Sequence, residues 1–256
     1  MLTHFPESPF WSKKTRLCSL LEWQGAVPPS KWKHGRSEQL LAETWLPAQG
    51  FPPSFVTALA QEVTLAGQSL VSAHVEVAVR TPGAGRDSAT DIMVLAGSET
   101  RRLVIAVEGK VDEGFGLKVA KWKKAGTSVN SSANRRLRLA GICGANSGPG
   151  TRGSLGVDPR ALDHVPFQLL HRTYSAIEHA LLNNVDTAVM AVHSFPPSGV
   201  AETGWRDFLA FAETMRPRSP PPRPGVPWSA GNRAGVATWL LWVEDPGGAR
   251  HRDRRR

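Results

Sequence analysis

Two short apolar runs separated by turn residues constrain the fold of this chain most strongly. The first run is Ile92–Ala96, the second is Leu103–Val107, and the turn residues are Gly97–Thr100. This spacing predicts a β-hairpin of two buried strands. A hairpin folded about position 99.5 pairs residues whose numbers add up to 199. That register places Asp91, which opens the first run, directly opposite Glu108, which ends the second.

The charged residues at the open end of this hairpin indicate a metal site. Directly opposed residues have Cβ atoms roughly 5 Å apart, so the carboxylates of Asp91 and Glu108 are close enough to share one divalent ion. Lys110 projects on the same face as Glu108 because side chains alternate along a strand. Two acids and an ammonium group at the end of two buried strands suit metal-assisted cleavage of a phosphodiester. A structural interpretation is also open, with Asp91 paired to Arg86 and Glu108 paired to Lys110 at an exposed edge.

Hydrophobic periodicity along the rest of the chain predicts one α/β domain with a central mixed β-sheet flanked by helices. The strand Leu70–Arg80 alternates strictly between apolar and polar residues, so its apolar side chains should share one face. Those side chains are Val71, Ala73, Val75, Val77 and Val79. The other predicted segments are, in order, the helices Ser37–Pro47, Pro52–Gly67, Leu117–Lys124, Asn134–Cys143 and His164–Leu182, the strand Thr187–Phe195, a helix over Trp205–Ala212 and the strand Val236–Val243.

The composition divides the chain into three parts. Residues 1–33 are rich in Trp, Pro and Lys without a regular period, which predicts an irregular arm. Residues 34–245 are expected to form the domain, with the Pro/Arg-rich stretch 216–228 as an extended, mobile insertion. Residues 246–256 are predicted to be a disordered basic tail.

The net charge of +9 is concentrated in two regions. Residues 110–138 hold eight Lys or Arg against two acids, and residues 214–256 hold nine Arg against three acids. This distribution favours a polyanionic partner such as a nucleic acid. The alternative for the first region is a helix face that only contacts solvent.

Several other classes of protein are disfavoured. The longest apolar run, Ala237–Val243, is far shorter than the ~20 residues of a membrane span, and Met1–Glu7 lacks the features of a signal peptide. Cys18 and Cys143 provide neither a disulfide framework nor zinc-ligand spacing, and Cys143 should be a buried core thiol. We therefore expect a cytoplasmic protein without a membrane partner.

The acidic motifs of the chain resemble those of the PD-(D/E)XK nuclease superfamily. Asp91 matches the acid of its second core strand, with Thr90-Asp91 in place of the usual Pro-Asp, and Glu108-Gly109-Lys110 matches its acid-x-Lys. The resemblance covers roughly residues 34–243 and implies a restriction-endonuclease-like core with elements in αβββαβ order. Three longer strings resemble an uncharacterised bacterial branch of the superfamily: Val107–Gly116, Phe167–Thr173 and Ala188–Phe195.

The resemblance implies a set of metal ligands. Asp91 and Glu108, with the carbonyl of Gly109 or its neighbour, would bind Mg²⁺ (or Mn²⁺), and Lys110 would orient the attacking water or stabilise charge on the phosphate. Members of the superfamily often add a glutamate from the first helix. Glu38 and Glu43 are the candidates, and Glu43 is preferred because Glu38 is explained as an ordinary N-terminal helix acid. Glu76 on the preceding strand is a third acid that could reach the metal, or else it faces solvent.

The later helix and the basic segment supply the remaining candidates. Gln168 matches a glutamine that some members turn toward the site. Arg172 is expected to contact phosphate, and His171 is interpreted as a helix-surface residue rather than a phosphate ligand. Four lysines are expected to bind the nucleic-acid backbone without reading sequence: Lys118, Lys121, Lys123 and Lys124.

The function implied by the resemblance is a metal-dependent nuclease, with DNA as the favoured substrate. The runner-up is a non-catalytic nucleic-acid-binding or regulatory protein that retains the nuclease fold. A third option is an enzyme of the same fold that acts on another phosphoryl substrate. The sequence leaves the oligomeric state open, a homodimer being one possibility.

Overall fold

A mixed β-sheet of eight strands runs through the centre of the protein. The structure, a computed structural model, describes residues 3–83, 87–126, 128–144, 153–196, 202–216 and 218–245. The strands are β1 (Phe10–Ser12), β2 (Thr15–Arg16), β3 (Ser69–Val79), β4 (Ser88–Gly97), β5 (Arg102–Lys110), β6 (Thr187–Ser194), β7 (Trp228–Arg233) and β8 (Val236–Glu244). Their order in the sheet is β2-β1-β3-β4-β5-β6-β8-β7.

Helices cover both faces of this sheet. They are α1 (Leu20–Ala26), α2 (Ser37–Ala48), α3 (Pro53–Leu59), α4 (Val119–Lys124), α5 (Val129–Cys143), α6 (Phe167–Leu182) and α7 (Glu202–Met215). One buried cluster joins α5, α6 and α7 to the sheet, and a second joins α1, α2 and α3 to the opposite face. The predicted fold class, an α/β domain with a central mixed sheet flanked by helices, is confirmed. The restriction-endonuclease-like identity of the core stays a prediction.

The hairpin formed by β4 and β5 has the register expected from the sequence. Ile92 pairs with Val107 and Gly97 pairs with Arg102, so the paired numbers add up to 199 throughout. β4 begins at Ser88, three residues before the predicted start. β5 is buried on both faces because it lies between β4 and the parallel strand β6, with helices above and below. Its last residues therefore deliver charged groups into the interior.

Strand β3 does not present all its apolar residues to one face, so that expectation is wrong. Ala73 and Val75 pack in the cluster with α2, whereas Val77 and Val79 pack in the cluster with α6. Glu76 lies between the two pairs and has a φ of 53°, which is uncommon for a residue with a side chain. The local change of backbone conformation breaks the strict alternation.

The prediction of an irregular arm over residues 1–33 is wrong for much of that segment. β1 pairs in parallel with β3, Phe10 opposite Ala73. Phe10 and Trp23 are fully buried, with ring centroids 5.1 Å apart. The pattern was missed because β1 and β2 are two or three residues long and are held by a strand some sixty positions away. The N-terminal segment is thus part of the domain.

The C-terminal region also departs from expectation. The stretch 216–228 is not a free insertion in its described residues, because the Gly225 N–H donates to Trp242 O at 2.7 Å and Trp228 Nε1 donates to Pro220 O at 2.8 Å. Trp228 already begins β7, an edge strand that the sequence did not predict. The expected basic tail, 246–256, and the candidate partner Arg86 lie outside the described residues.

Two smaller expectations were also checked. Cys143 is buried in the core as predicted. Helix α3 ends at Leu59 rather than continuing to Gly67, and Val63 is consequently exposed. Across the described ranges, no helix has the length and apolar character needed to cross a membrane.

Candidate functional site

A cavity of about 670 Å³ lies where the end of β5 meets the beginnings of α2 and α6. Its walls also include β3, β4 and the connection between α1 and α2. Six acids line it: Glu38, Glu76, Asp87, Asp91, Glu108 and Glu113. Five cations line it as well: Lys31, Lys33, Arg36, Lys110 and Arg172.

Three of these acids come together as one group. Glu38, Glu76 and Asp91 each offer a carboxylate oxygen, and the three oxygens lie within 4.8 Å of one another. They come from three different elements, α2, β3 and β4. We call this group the acidic triad. Of the two acids first expected to share a metal, Asp91 belongs to it and Glu108 does not.

Gly109 allows the triad to form because it lets α2 approach β5. A Cβ atom at this position would lie 2.6 Å from Leu41 Cδ1 and 3.1 Å from Ser37 Cβ. Such distances are well inside van der Waals contact, so only glycine fits here without a shift of the helix. Gly109 also donates its N–H to Asp91 Oδ2 at 2.9 Å. A role for its carbonyl oxygen as a metal ligand stays a prediction.

Lys31 places an ammonium group among the three carboxylates. Its Nζ lies 2.7 Å from Glu76 Oε1, 3.5 Å from Glu38 Oε1 and 3.7 Å from Asp91 Oδ1. Sequence reasoning missed this residue because it belongs to the segment interpreted as an irregular arm. It carries no local signal, since its nearest partner in the triad, Glu76, is 45 positions away.

Glu108 is held by three donors on the α6 side of the cavity. Its Oε1 accepts from Lys110 Nζ at 2.7 Å and from the Gln168 side-chain amide. Its Oε2 accepts from the guanidinium of Arg172. Gln168 Oε1 in turn accepts from Lys110 Nζ at 3.4 Å. The structure therefore brings Glu108, Lys110, Gln168 and Arg172 together, with both oxygens of Glu108 already in hydrogen bonds.

The acids of the cavity have opposite pKa shifts. Burial, together with the charge of Asp91, raises the pKa of Glu38 to about 9 against the pull of Lys31. Burial and the nearby Glu108 likewise raise the pKa of Asp91 to about 6. Burial also acts to raise the pKa of Glu108, but Arg172 and Lys110 outweigh it and hold the pKa at about 2. Glu108 has its counter-charges, whereas the triad carries more negative charge than its surroundings compensate.

The expectation that Glu43, rather than Glu38, extends from its helix toward the metal site is wrong. Glu38 is buried in the cavity wall, and Glu43 is not part of it. Glu43 instead accepts a hydrogen bond from Gln39 Nε2 at 2.8 Å. Five residues along an α-helix correspond to a rotation of about 140° about its axis, so only one of the two glutamates can face the site. Glu76, which was an open alternative, joins Glu38 there.

The four lysines expected to bind nucleic acid lie outside the cavity wall. Lys118 pairs with Asp207 at 3.6 Å, and Lys123 pairs with Asp163. Lys121 and Lys124 are exposed. Binding of nucleic acid by this group stays a prediction, but the cations next to the acids come from the connection before α2 and from β5 and α6.

Arg172 and His171 are both buried, although the sequence predicted a phosphate contact for the first and a surface position for the second. Arg172 is 4% exposed and is paired with Glu108, although it lines the cavity. Its expected contact with phosphate stays a prediction. The interpretation of His171 as a surface residue is wrong, because it is 1% exposed. Burial, with the charges of Arg172 and Arg138, lowers the pKa of His171 to about 3. The imidazole is therefore neutral.

Comparison with known proteins assigns the chain to a family without assigning it an activity. A family model described as "Domain of unknown function (DUF6946)" matches residues 16–247. No curated protein and no solved structure matches the chain. The match begins within β2, so it includes residues 16–33 of the N-terminal segment that the sequence pattern set apart.

Proposed function

We propose that this chain, which belongs to the DUF6946 family, is a metal-dependent nuclease that hydrolyses phosphodiester bonds, with DNA as its substrate. One observation carries the proposal: the acidic triad, Glu108 and Lys110 share a single cavity. Paired acids beside a fixed ammonium group are the components that metal-assisted cleavage of a phosphodiester requires.

The acidic triad fits a hard divalent cation. Mg²⁺ and Mn²⁺ prefer carboxylate oxygens, and the triad offers three that lie within 4.8 Å of one another. The raised pKa values of Glu38 and Asp91 reflect burial and the repulsion of neighbouring carboxylates, and a bound cation relieves that repulsion. Asp91, Glu76 and Glu38 would hold the ion. Once bound, it would stabilise negative charge on the phosphate and make water a better nucleophile.

Lys110 is positioned to act on the substrate. Its ammonium group is held by Glu108 and Gln168 and lies 5.1 Å from the centroid of the Phe115 ring. An ammonium group fixed in this way donates a hydrogen bond to a phosphate oxygen or orients a water molecule without a further loss of side-chain freedom. Glu108 and Gln168 are then positioning residues for Lys110.

The charge of the cavity supports an anionic substrate once a cation is present. Its wall carries six acids and five cations, a formal charge of −1. A divalent cation changes this value to +1, which favours a phosphate group. Metal binding and substrate binding therefore reinforce each other electrostatically.

The test is cleavage of supercoiled plasmid and single-stranded DNA in the presence of Mg²⁺, Mn²⁺ or EDTA. We expect cleavage by the wild type with either metal, none in EDTA, and none by Asp91→Ala or Lys110→Ala. Glu43→Ala is the matched control, since it removes a carboxylate from α2 outside the cavity, and it should cleave like the wild type. Cleavage that persists in the Asp91 and Lys110 variants would contradict the proposal.

A non-catalytic nucleic-acid-binding protein is the second candidate. It is favoured by one observation, namely that Lys31, Lys110 and Arg172 already provide counter-charges for the acids. On this alternative the cavity is a structural ion-pair network. DNA binding in a gel-shift assay, with no product after long incubation with either metal, would favour it over the nuclease.

A further inference from the structure

Lys31 occupies the place in the cavity where a divalent cation would bind. Its ammonium group contacts one oxygen of each member of the acidic triad, at 2.7, 3.5 and 3.7 Å. Arg36, on the same connection, pairs with two acids, Asp112 and Glu113, whereas Lys31 contacts all three acids of the triad.

We propose that Lys31 is a placeholder cation, whose ammonium group a divalent metal must displace in order to bind the triad. This inference rests on the proposed function, since it assigns the triad to a metal. The two cations compete because both need the same carboxylate oxygens, and like charges at this separation repel strongly. Without Lys31, the metal-free protein would lose the cation that contacts all three acids of the triad.

The position of Lys31 makes the exchange structurally simple. The residue lies in the connection between α1 and α2, and its side chain is 37% exposed. The ammonium group of a lysine is carried on a flexible four-carbon stem, so it can leave the triad while the backbone stays in place. Once displaced, it remains on the same cavity wall as Lys33 and Arg36, where a phosphate group would arrive. The same residue thus offsets part of the triad's negative charge before metal binding and faces the substrate after it.

The experiment is calorimetric titration of Mn²⁺ into the chelator-treated full chain at fixed neutral pH. Lys31→Met keeps the length of the side chain and removes its charge. We expect it to bind Mn²⁺ about tenfold more tightly than the wild type, on the order of 1.4 kcal/mol. Lys33→Met is the matched control, because Lys33 lines the same cavity wall but, among the described residues, forms no ion pair with the triad. Its affinity for Mn²⁺ should change much less.

A second variant and a second readout guard against a folding defect. Lys31→Gln keeps a hydrogen-bond donor and should also bind Mn²⁺ more tightly. In EDTA both Lys31 variants should melt at a lower temperature than the wild type, because the triad loses the cation that contacts all three of its acids. Their rise in Tm on addition of Mn²⁺ should exceed that of the wild type.

Asp91→Asn separates a failure of this inference from a failure of the proposed function. If it abolishes Mn²⁺ binding while the Lys31 variants bind with wild-type affinity or more weakly, the placeholder role is overturned and the metal site stands. If neither the wild type nor the Lys31 variants bind Mn²⁺, both proposals are wrong. If Lys31→Met and Lys33→Met gain equally in affinity for Mn²⁺, the gain comes from removing any positive charge near the cavity rather than from freeing the triad. That result would also overturn the inference.

Discussion

Glu38, a single buried carboxyl group, lowers the free energy of unfolding of the metal-free protein at neutral and higher pH. Its pKa is raised, by burial first, from 4.5 to about 9. The folded protein therefore retains a proton that the unfolded chain releases, so the free energy of unfolding falls as the pH rises from 4.5 to about 9. Glu38→Gln abolishes this titration. In EDTA its free energy of unfolding should match that of the wild type near pH 4.5 and exceed it by at least about 1 kcal/mol near pH 9.

Thermal melts across this pH range, with and without Mn²⁺, check the prediction. Glu43→Gln is the control, because it makes the same substitution on the same helix outside the cavity wall. In saturating Mn²⁺ the order should reverse, because Glu38→Gln has lost a ligand. A constant difference between Glu38→Gln and the wild type at all pH values would contradict the pKa shift.

The choice between Glu38 and Glu43 also shows what the sequence could not decide. Both are acids on one predicted helix, and the amphipathic pattern does not say which side meets the end of a particular strand. That depends on how α2 packs against β5, a tertiary contact made at Gly109. In contrast, Gln168 was expected to turn toward the site, and the structure places it against Glu108 and Lys110.

At the scale of elements, the packing of α2 on β5 sets the position of the triad. Gly109→Ala would place a methyl group 2.6 Å from Leu41 Cδ1, and Leu41 is buried and cannot easily move. The helix must then shift outward and carry Glu38 with it. We expect a loss of about 1–3 kcal/mol of stability and a weaker affinity for Mn²⁺, measured by chemical denaturation and calorimetry.

Gly114→Ala is the matched control for this prediction. A Cβ atom at Gly114 meets no atom within 4 Å, so both stability and Mn²⁺ affinity should stay close to those of the wild type. If Gly109→Ala behaves like Gly114→Ala, the close approach of helix and strand does not control the site.

The elements that were predicted well are those whose signals are local. The β4–β5 register follows from two apolar runs and the turn between them. β3 was located correctly, but its alternation was overestimated because the positive φ of Glu76 has no sequence signature. β1, β2 and β7 were missed because short edge strands derive their stability from pairing with distant strands rather than from their own pattern.

At the scale of the whole molecule, the N-terminal segment decides whether the chain forms one cooperative unit. Trp23 is 1% exposed and contacts Phe10. The ring centroid of Phe10 lies 6.4 Å from that of Trp45 on α2. These aromatic contacts link the segment to the helix that carries Glu38. If the segment were an independent arm, a substitution within it would leave the stability of the rest of the domain unchanged. If it is an integral part of the domain, such a substitution lowers the stability of the whole.

Trp23→Ala separates these two possibilities. Loss of a fully buried tryptophan should lower the free energy of unfolding of the entire chain by about 3–5 kcal/mol, within a single transition followed by both fluorescence and circular dichroism. Leu21→Ala in the same helix is the control, because Leu21 is 64% exposed and should cost less than about 0.5 kcal/mol. An unchanged main transition in Trp23→Ala would return residues 1–33 to the status of a separate arm, and the contact of Lys31 with the triad would then lack the rigid support that α1 provides.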